Sequence, residues 1–175
     1  MKNTLAFLFA VLCLNVVAFG QSRELPNVTV TSLEGDKIET GTFAETEGPV
    51  IISFWATWCK PCVLELNTVA EEYEDLVDET GVKLIAISID DARNSHKVAP
   101  FVAGKGWEYD VYIDENADFK RAMNVGNVPH TFVLNSEGEI VWQHNSYTPG
   151  DEEDLYEVVE AVSEGKTIPG HDGEH

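Results

Sequence analysis

The sequence predicts an α/β domain built on a mixed sheet, partly parallel, with helices over both faces. Three observations carry that expectation. Two short, β-rich and nearly all-apolar runs, VIISFW at 50–55 and KLIAISI at 83–89, flank a long stretch with helical periodicity. A β-α-β order of this kind joins parallel strands, and parallel sheets are buried on both faces. Hairpin patterns stand towards both ends of the chain.

The elements follow in order. Residues 27–31 alternate (NVTVT) and lead through Leu33-Glu34-Gly35-Asp36 into 37–40, an N-terminal β-hairpin with a glycine in its turn. Gly48-Pro49 punctuates, and 50–55 reads as a buried central strand. From Cys59 to about Asp78, Leu66, Val69, Ala70, Tyr73, Leu76 and Val77 recur at helical spacing, with Gly81 as the stop. A second buried strand covers 83–89. Asn94 or Ser95 then caps a helix running to about Ala103 and closed by Gly104 and Gly106, with Pro100 disturbing its continuity. Residues 109–113 form a short strand and 117–123 a short helix. Residues 131–134 and 139–144 are two strands joined by Asn135-Ser136-Glu137-Gly138. A last amphipathic helix covers 151–163, and its acidic start (DEED) suits the positive end of the helix dipole.

Three segments are expected. Residues 1–20 carry Lys2, an apolar run over 5–18 and Ala18-Phe19-Gly20 before Gln21, the layout of a cleavable secretory signal. The run is about 14 residues, short of the roughly 20 a spanning helix needs, so cleavage is favoured over a retained anchor. Leu12 precedes Cys13, where a lipid-attachment signal would want a small residue. One domain follows over 21–165, and 166–175 is a frayed tail. No later stretch is apolar and long enough to cross a bilayer. The leader pattern makes the periplasm or another extracytoplasmic space the expected location.

The 175-residue chain has 11 basic against 31 acidic residues and a formal charge of −20. Such a surface repels nucleic acid and anionic membranes, and it favours solubility. Of three cysteines, only Cys59 and Cys62 follow the leader. A structural staple gains stability from closing a long loop, whereas this pair closes a very short one, so chemistry explains it better.

In Trp58-Cys59-Lys60-Pro61-Cys62, Cys59 falls where a buried strand gives way to a helix. Free backbone N–H groups and the dipole stabilise thiolate there, and Lys60 adds positive charge. The ordinary thiol pKa of about 8.5 falls by one to several units at such sites. Cys59 is therefore the expected nucleophile and Cys62, one turn inward, the resolving thiol. Pro61 in the first turn costs no needed hydrogen bond. Trp55 and Trp58 would shelter the pair, and Trp58, Lys60 and Pro61 would face a substrate. A zinc site is disfavoured: it wants four ligands, there is no second CxxC, and His96, His130, His144, His171 and His175 are scattered. The second constellation is Val128-Pro129-His130-Thr131. A proline before a strand cannot donate a ladder bond. If its peptide bond is cis, Val128 offers its backbone to an extended substrate. On residues alone trans is commoner, cis being about 5–6% of X-Pro bonds.

FWATWCKPC followed, far along the chain, by VPHTFVLNSEG resembles the thioredoxin superfamily, in its exported TlpA/ResA-like branch. The likeness covers about residues 25–163. It implies a thioredoxin fold with an N-terminal β-hairpin and a βα insertion before the proline, and it implies that Pro129 is cis and packs on Cys59 and Cys62. Glu65 matches the glutamate that ResA-like proteins place beneath their cysteines. Buried there, it would have a raised pKa and could shuttle the proton for Cys62. The other reading is an ordinary solvated helix glutamate. Two departures stand out. Ser53 replaces the buried aspartate of cytoplasmic thioredoxins. Asn67 replaces the proline common in the family, which is expected to leave the helix start less defined.

The resemblance implies an exported thiol–disulfide oxidoreductase that reduces client disulfides without a cofactor. It also implies a membrane-bound electron donor and a place in cytochrome c maturation. The alternatives are an oxidase or isomerase, a Sco-like copper chaperone, or a peroxiredoxin. Sco-like proteins use CxxxC with a distal histidine, whereas this chain has CxxC. The peroxidatic frame Pro-x-x-x-Thr/Ser-x-x-Cys is not matched around Thr57-Trp58-Cys59.

Overall fold

The computed structural model describes residues 23–168. The expected leader over 1–20 lies outside the described residues, as does most of the expected tail. Of that tail, Lys166 donates its backbone N–H to Ala161 O at 2.8 Å, and Ile168 packs half-buried on the core.

Among the described residues, eight strands form one sheet: β1 (Arg23–Glu24), β2 (Thr29–Ser32), β3 (Lys37–Glu39), β4 (Val50–Trp55), β5 (Lys83–Ser88), β6 (Asp110–Ile113), β7 (His130–Leu134) and β8 (Glu139–Asn145). The α-helices of the described residues are α1 (Lys60–Thr80), α2 (Val98–Lys105), α3 (Asp118–Ala122) and α4 (Asp151–Ser163). The strand order is β1-β8-β7-β4-β5-β6-β2-β3. β4, β5 and β6 run parallel; β7 returns antiparallel beside β4, and β8 lies antiparallel on the far side of β7. The N-terminal hairpin is present, and β2 docks it antiparallel against β6 at the far edge.

All six residues of β4 are buried, as a central strand covered on both faces requires. Its alternation divides the core in two. Ile51 and Trp55 face a layer containing Leu66, Val69 and Leu76 of α1 with Leu155, Val158 and Val159 of α4. Val50, Ile52 and Phe54 face Phe119, Met123, Phe43 and Val30 on the other side.

Local chemistry explains several of the helix ends. Gly81 and Gly106 sit at φ 68° and 67° and close α1 and α2 with N–H bonds to Val77 O and Val102 O. Pro100 does not break α2. A 3-10 turn (Ser95–Lys97) comes first, and Pro100 then falls in the first turn of α2, where its missing N–H has no partner to lose. Ala117 at the N-cap position of α3 offers no side-chain cap, so the buried Asp114 supplies one by accepting from the N–H groups of Phe119 and Lys120. Strand β1 and a 3-10 turn (Thr40–Ala44) are additions to the sequence reading.

Candidate active site

β4 ends at Trp55, and a tight turn, Cys59 N–H to Ala56 O at 3.0 Å, delivers Cys59 to the start of α1. Cys59 is the N-cap: its sulfur accepts the N–H of Cys62 at 3.3 Å, a bond that an anionic sulfur would strengthen. The two cysteines are disulfide-bonded, with Cα atoms 5.3 Å apart. Cys59 is 5% exposed and Cys62 0%, so of the two residues only Cys59 reaches solvent. Lys60 and Pro61 occupy the first two helical positions, both exposed, and no carboxylate stands in the first turn to oppose a thiolate.

Trp55 and Trp58 part company. Trp55 is fully buried, edge-on to Trp107 with ring centroids 5.0 Å apart. Trp58 is 64% exposed beside the cysteines, an apolar surface on the solvent side rather than a cover. The Val128–Pro129 peptide bond is cis, and Val128 is half-buried and touches both core layers.

Glu65 lies in the second turn of α1, one turn past Cys62, and is 2% exposed. Its Oε1 accepts the Thr131 hydroxyl at 2.7 Å, and Thr131 Oγ1 is 3.1 Å from Ser53 Oγ. A hydroxyl has one proton, so with Glu65 ionised Thr131 donates to the carboxylate and accepts from Ser53. The other carboxyl oxygen, Oε2, is buried with no hydrogen-bond partner among the described residues. Burial pushes this carboxyl up from 4.5 to about 7. The Thr131 bond opposes the rise and the charge of Asp151 adds to it.

Thr131 is the residue that sequence reasoning saw and gave no role. A signal existed: Ser53 and Thr131 are the polar interruptions in two apolar strands, and the register places them directly opposite one another. Being two residues past the cis bond, Thr131 also ties the proline strand to α1 through Glu65.

The expectation that Asn67 weakens the helix start is overturned. The start is defined by the Cys59 cap, and α1 runs unbroken for 21 residues. Asn67 instead accepts the indole N–H of Trp107 at 3.1 Å, and the neighbouring Leu66 carbonyl accepts the Tyr109 hydroxyl at 3.1 Å. Both bonds fasten α1 to the segment between α2 and β6. Among the described residues, no group of three or more His, Cys, Asp or Glu side chains is gathered so as to hold a metal ion.

The AhpC/TSA family model matches residues 22–143. The chain is 36% identical over 122 residues to "Thiol-disulfide oxidoreductase ResA" of Bacillus thuringiensis (strain Al Hakam), covering 69% of this chain and 67% of that protein. The alignments thus span about two thirds of such relatives. The solution structure of an uncharacterized thioredoxin-like protein from Porphyromonas gingivalis is 45% identical with a TM-score of 0.73, covering 86% of this chain and 96% of that one. A putative thiol:disulfide interchange protein DsbE from Chlorobium tepidum shares the fold at a TM-score of 0.67 and 23% identity, over 81% of this chain and 96% of its own. The fold is that of thioredoxin.

Proposed function

The chain belongs to the AhpC/TSA family, and on that footing we propose that this thiol–disulfide oxidoreductase works outside the cytoplasm as a dithiol reductant of client proteins. The observation that carries the reading is Cys59 capping α1 beside a buried partner sulfur and a buried carboxyl.

In the reduced protein the Cys59 thiolate attacks one sulfur of a client disulfide. A Cys59–client bond forms, the client S–S bond breaks, and the displaced sulfur leaves as thiolate and takes up a proton. Cys62 then gives up its proton and attacks the Cys59 sulfur, which frees the second client thiol. The client has gained two electrons and two protons, and the chain is left as the Cys59–Cys62 disulfide. Glu65 is the group we assign to take the Cys62 proton, because a carboxyl near pH 7 is available in both states. Trp58, Lys60, Pro61 and the Val128 backbone before cis-Pro129 form the client-facing surface.

Export rests on the leader pattern of residues 1–20. A membrane-bound dithiol donor would return the electrons, and we place the clients in cytochrome c maturation on the strength of the TlpA/ResA-like pattern.

Cys62→Ser tests the exchange. It should accumulate covalent, reductant-sensitive adducts on Cys59 in its own compartment, and Cys59→Ser should accumulate none. Absence of adducts sinks the mechanism. Titration against glutathione tests direction: a potential near the oxidising end of the roughly −270 to −120 mV range would make it an oxidase. Rapid peroxide consumption lost in Cys59→Ser would replace the reading altogether.

A further inference from the structure

Thr57 stands two residues before Cys59 and has no part in the exchange scheme, yet its backbone and its side chain are both tied to one buried carboxylate. Its backbone N–H donates to Asp90 Oδ2 at 2.8 Å and its hydroxyl to Asp90 Oδ1 at 2.7 Å. Ser88 Oγ donates to Oδ2 as well, at 2.8 Å, and accepts the Asp90 N–H at 3.1 Å. Asp90 is fully buried. Beside it the Ile89 N–H reaches Trp55 O at 2.9 Å, so the ends of β4 and β5 are joined as the chain leaves the sheet.

We propose that Asp90 is a positioning residue for the redox centre: through its two-point hold on Thr57 it fixes the turn that places Cys59 at the N-terminus of α1. Three features support this. A carboxylate is the side chain that can accept from all three donors, since an amide at position 90 would turn an NH2 group towards one of them. Hydrogen bonds to a carboxylate are about twice as strong as neutral ones. And the hold does not pass through the disulfide, so it persists when the cysteines are reduced and Cys59 must already be in place.

The consequence is chemical. The thiolate gains from the helix N-terminus only within the first turn, where N–H groups point at it. Were Thr57 released, the turn from Ala56 to Cys59 would lose its anchor and the sulfur part of that stabilisation. A one-unit rise in the Cys59 pKa cuts the thiolate fraction at neutral pH by up to about tenfold, the full factor holding where the thiol titrates above that pH. The inference rests on Cys59 being the attacking sulfur.

The test uses reduced, full-length protein at neutral pH. Two readouts are taken: the ultraviolet thiolate absorbance, and the iodoacetamide labelling rate at residue 59 from peptide mass spectrometry. Thr57→Val removes the hydroxyl donor and leaves every charge in place. Asp90→Asn removes the charge and one acceptor. Both should lower the thiolate signal and slow labelling, Asp90→Asn by up to about tenfold and Thr57→Val by less, while Thr57→Ser keeps the wild-type rate. If both variants melt earlier but label like wild type, Asp90 is only structural and the proposal fails. If Asp90→Asn labels faster and Thr57→Val is unchanged, the carboxylate acts as a nearby charge, and the proposal fails again. Should Asp90→Asn not fold, Thr57→Val decides alone. The premise is read separately, on wild type: labelling no faster than an ordinary exposed thiol removes the nucleophile itself.

Discussion

Replacing Glu65 by glutamine should change how stability depends on pH, and by a calculable amount. In the unfolded chain this carboxyl releases its proton near 4.5; in the oxidised fold burial holds it until about 7. Between those values the folded state binds more protons than the unfolded one, so stability falls as pH rises. The contribution is therefore fully present below about pH 4.5 and lost above about pH 7. One pKa unit is worth 1.36 kcal/mol, so the wild-type protein should lose roughly 3 kcal/mol across that window from this residue alone. Thirty other acidic residues also titrate, so the difference between wild type and Glu65→Gln is the quantity to follow. The assay is urea unfolding of both oxidised proteins from about pH 4 to about pH 8.5 with linear extrapolation. Glu65→Gln should gain on wild type steadily between pH 4.5 and 7, by roughly 3 kcal/mol in total. A difference that stays flat over that range would refute the buried-carboxyl account, whatever the two proteins' absolute stabilities.

Thr131→Val removes a bond that favours the ionised carboxyl, so the upper edge of the window should move to higher pH, measured by the same titration. Ser53→Asp sets a second carboxylate two hydrogen bonds from the first. Double-mutant cycles with Glu65→Gln should show an unfavourable coupling of up to about 3 kcal/mol, the repulsion of like charges ~5 Å apart at an effective dielectric near 20. Gly138→Ala should cost about 1–2 kcal/mol in thermal unfolding, because φ is +78° and the new Cβ would lie 2.8 Å from that of Ala44. Asp114→Ala should cost about 1 kcal/mol by removing the cap of α3, with chemical denaturation as the measure.

Much of this was written locally. Strand β4 is legible because it is short, β-rich and bounded by Gly48-Pro49, and α4 begins and ends where its acidic start and apolar spacing place it. Two-residue β1 is too short to show a period. That β2 pairs with β6 is a contact between distant segments, and no local pattern encodes it. The candidate site divides in the same way. Cys59 and Cys62 follow from spacing at a strand–helix junction. Helical position alone left Glu65 open between burial and solvent, because what buries it is the layer under α1, assembled from β4, β7 and the insertion. Asp90 read only as the residue after a strand; its partner Thr57 lies 33 residues earlier.

The position of the carboxyl explains the departure at Ser53. Cytoplasmic thioredoxins, on the resemblance, carry the acid on the strand, where this chain has serine. Here the acid sits on α1, and Ser53 reaches it through Thr131 in a row of 3.1 and 2.7 Å contacts. The pocket is dry enough to lift one carboxyl to about 7, and a second would add like-charge repulsion to the burial cost already carried. Hydroxyls answer both constraints, since each can accept or donate without bringing charge. An acid on the helix therefore makes an acid on the strand unfavourable. Thr131, bonded to Glu65 and two residues past the cis bond, links that choice to the strand beside the client-facing surface.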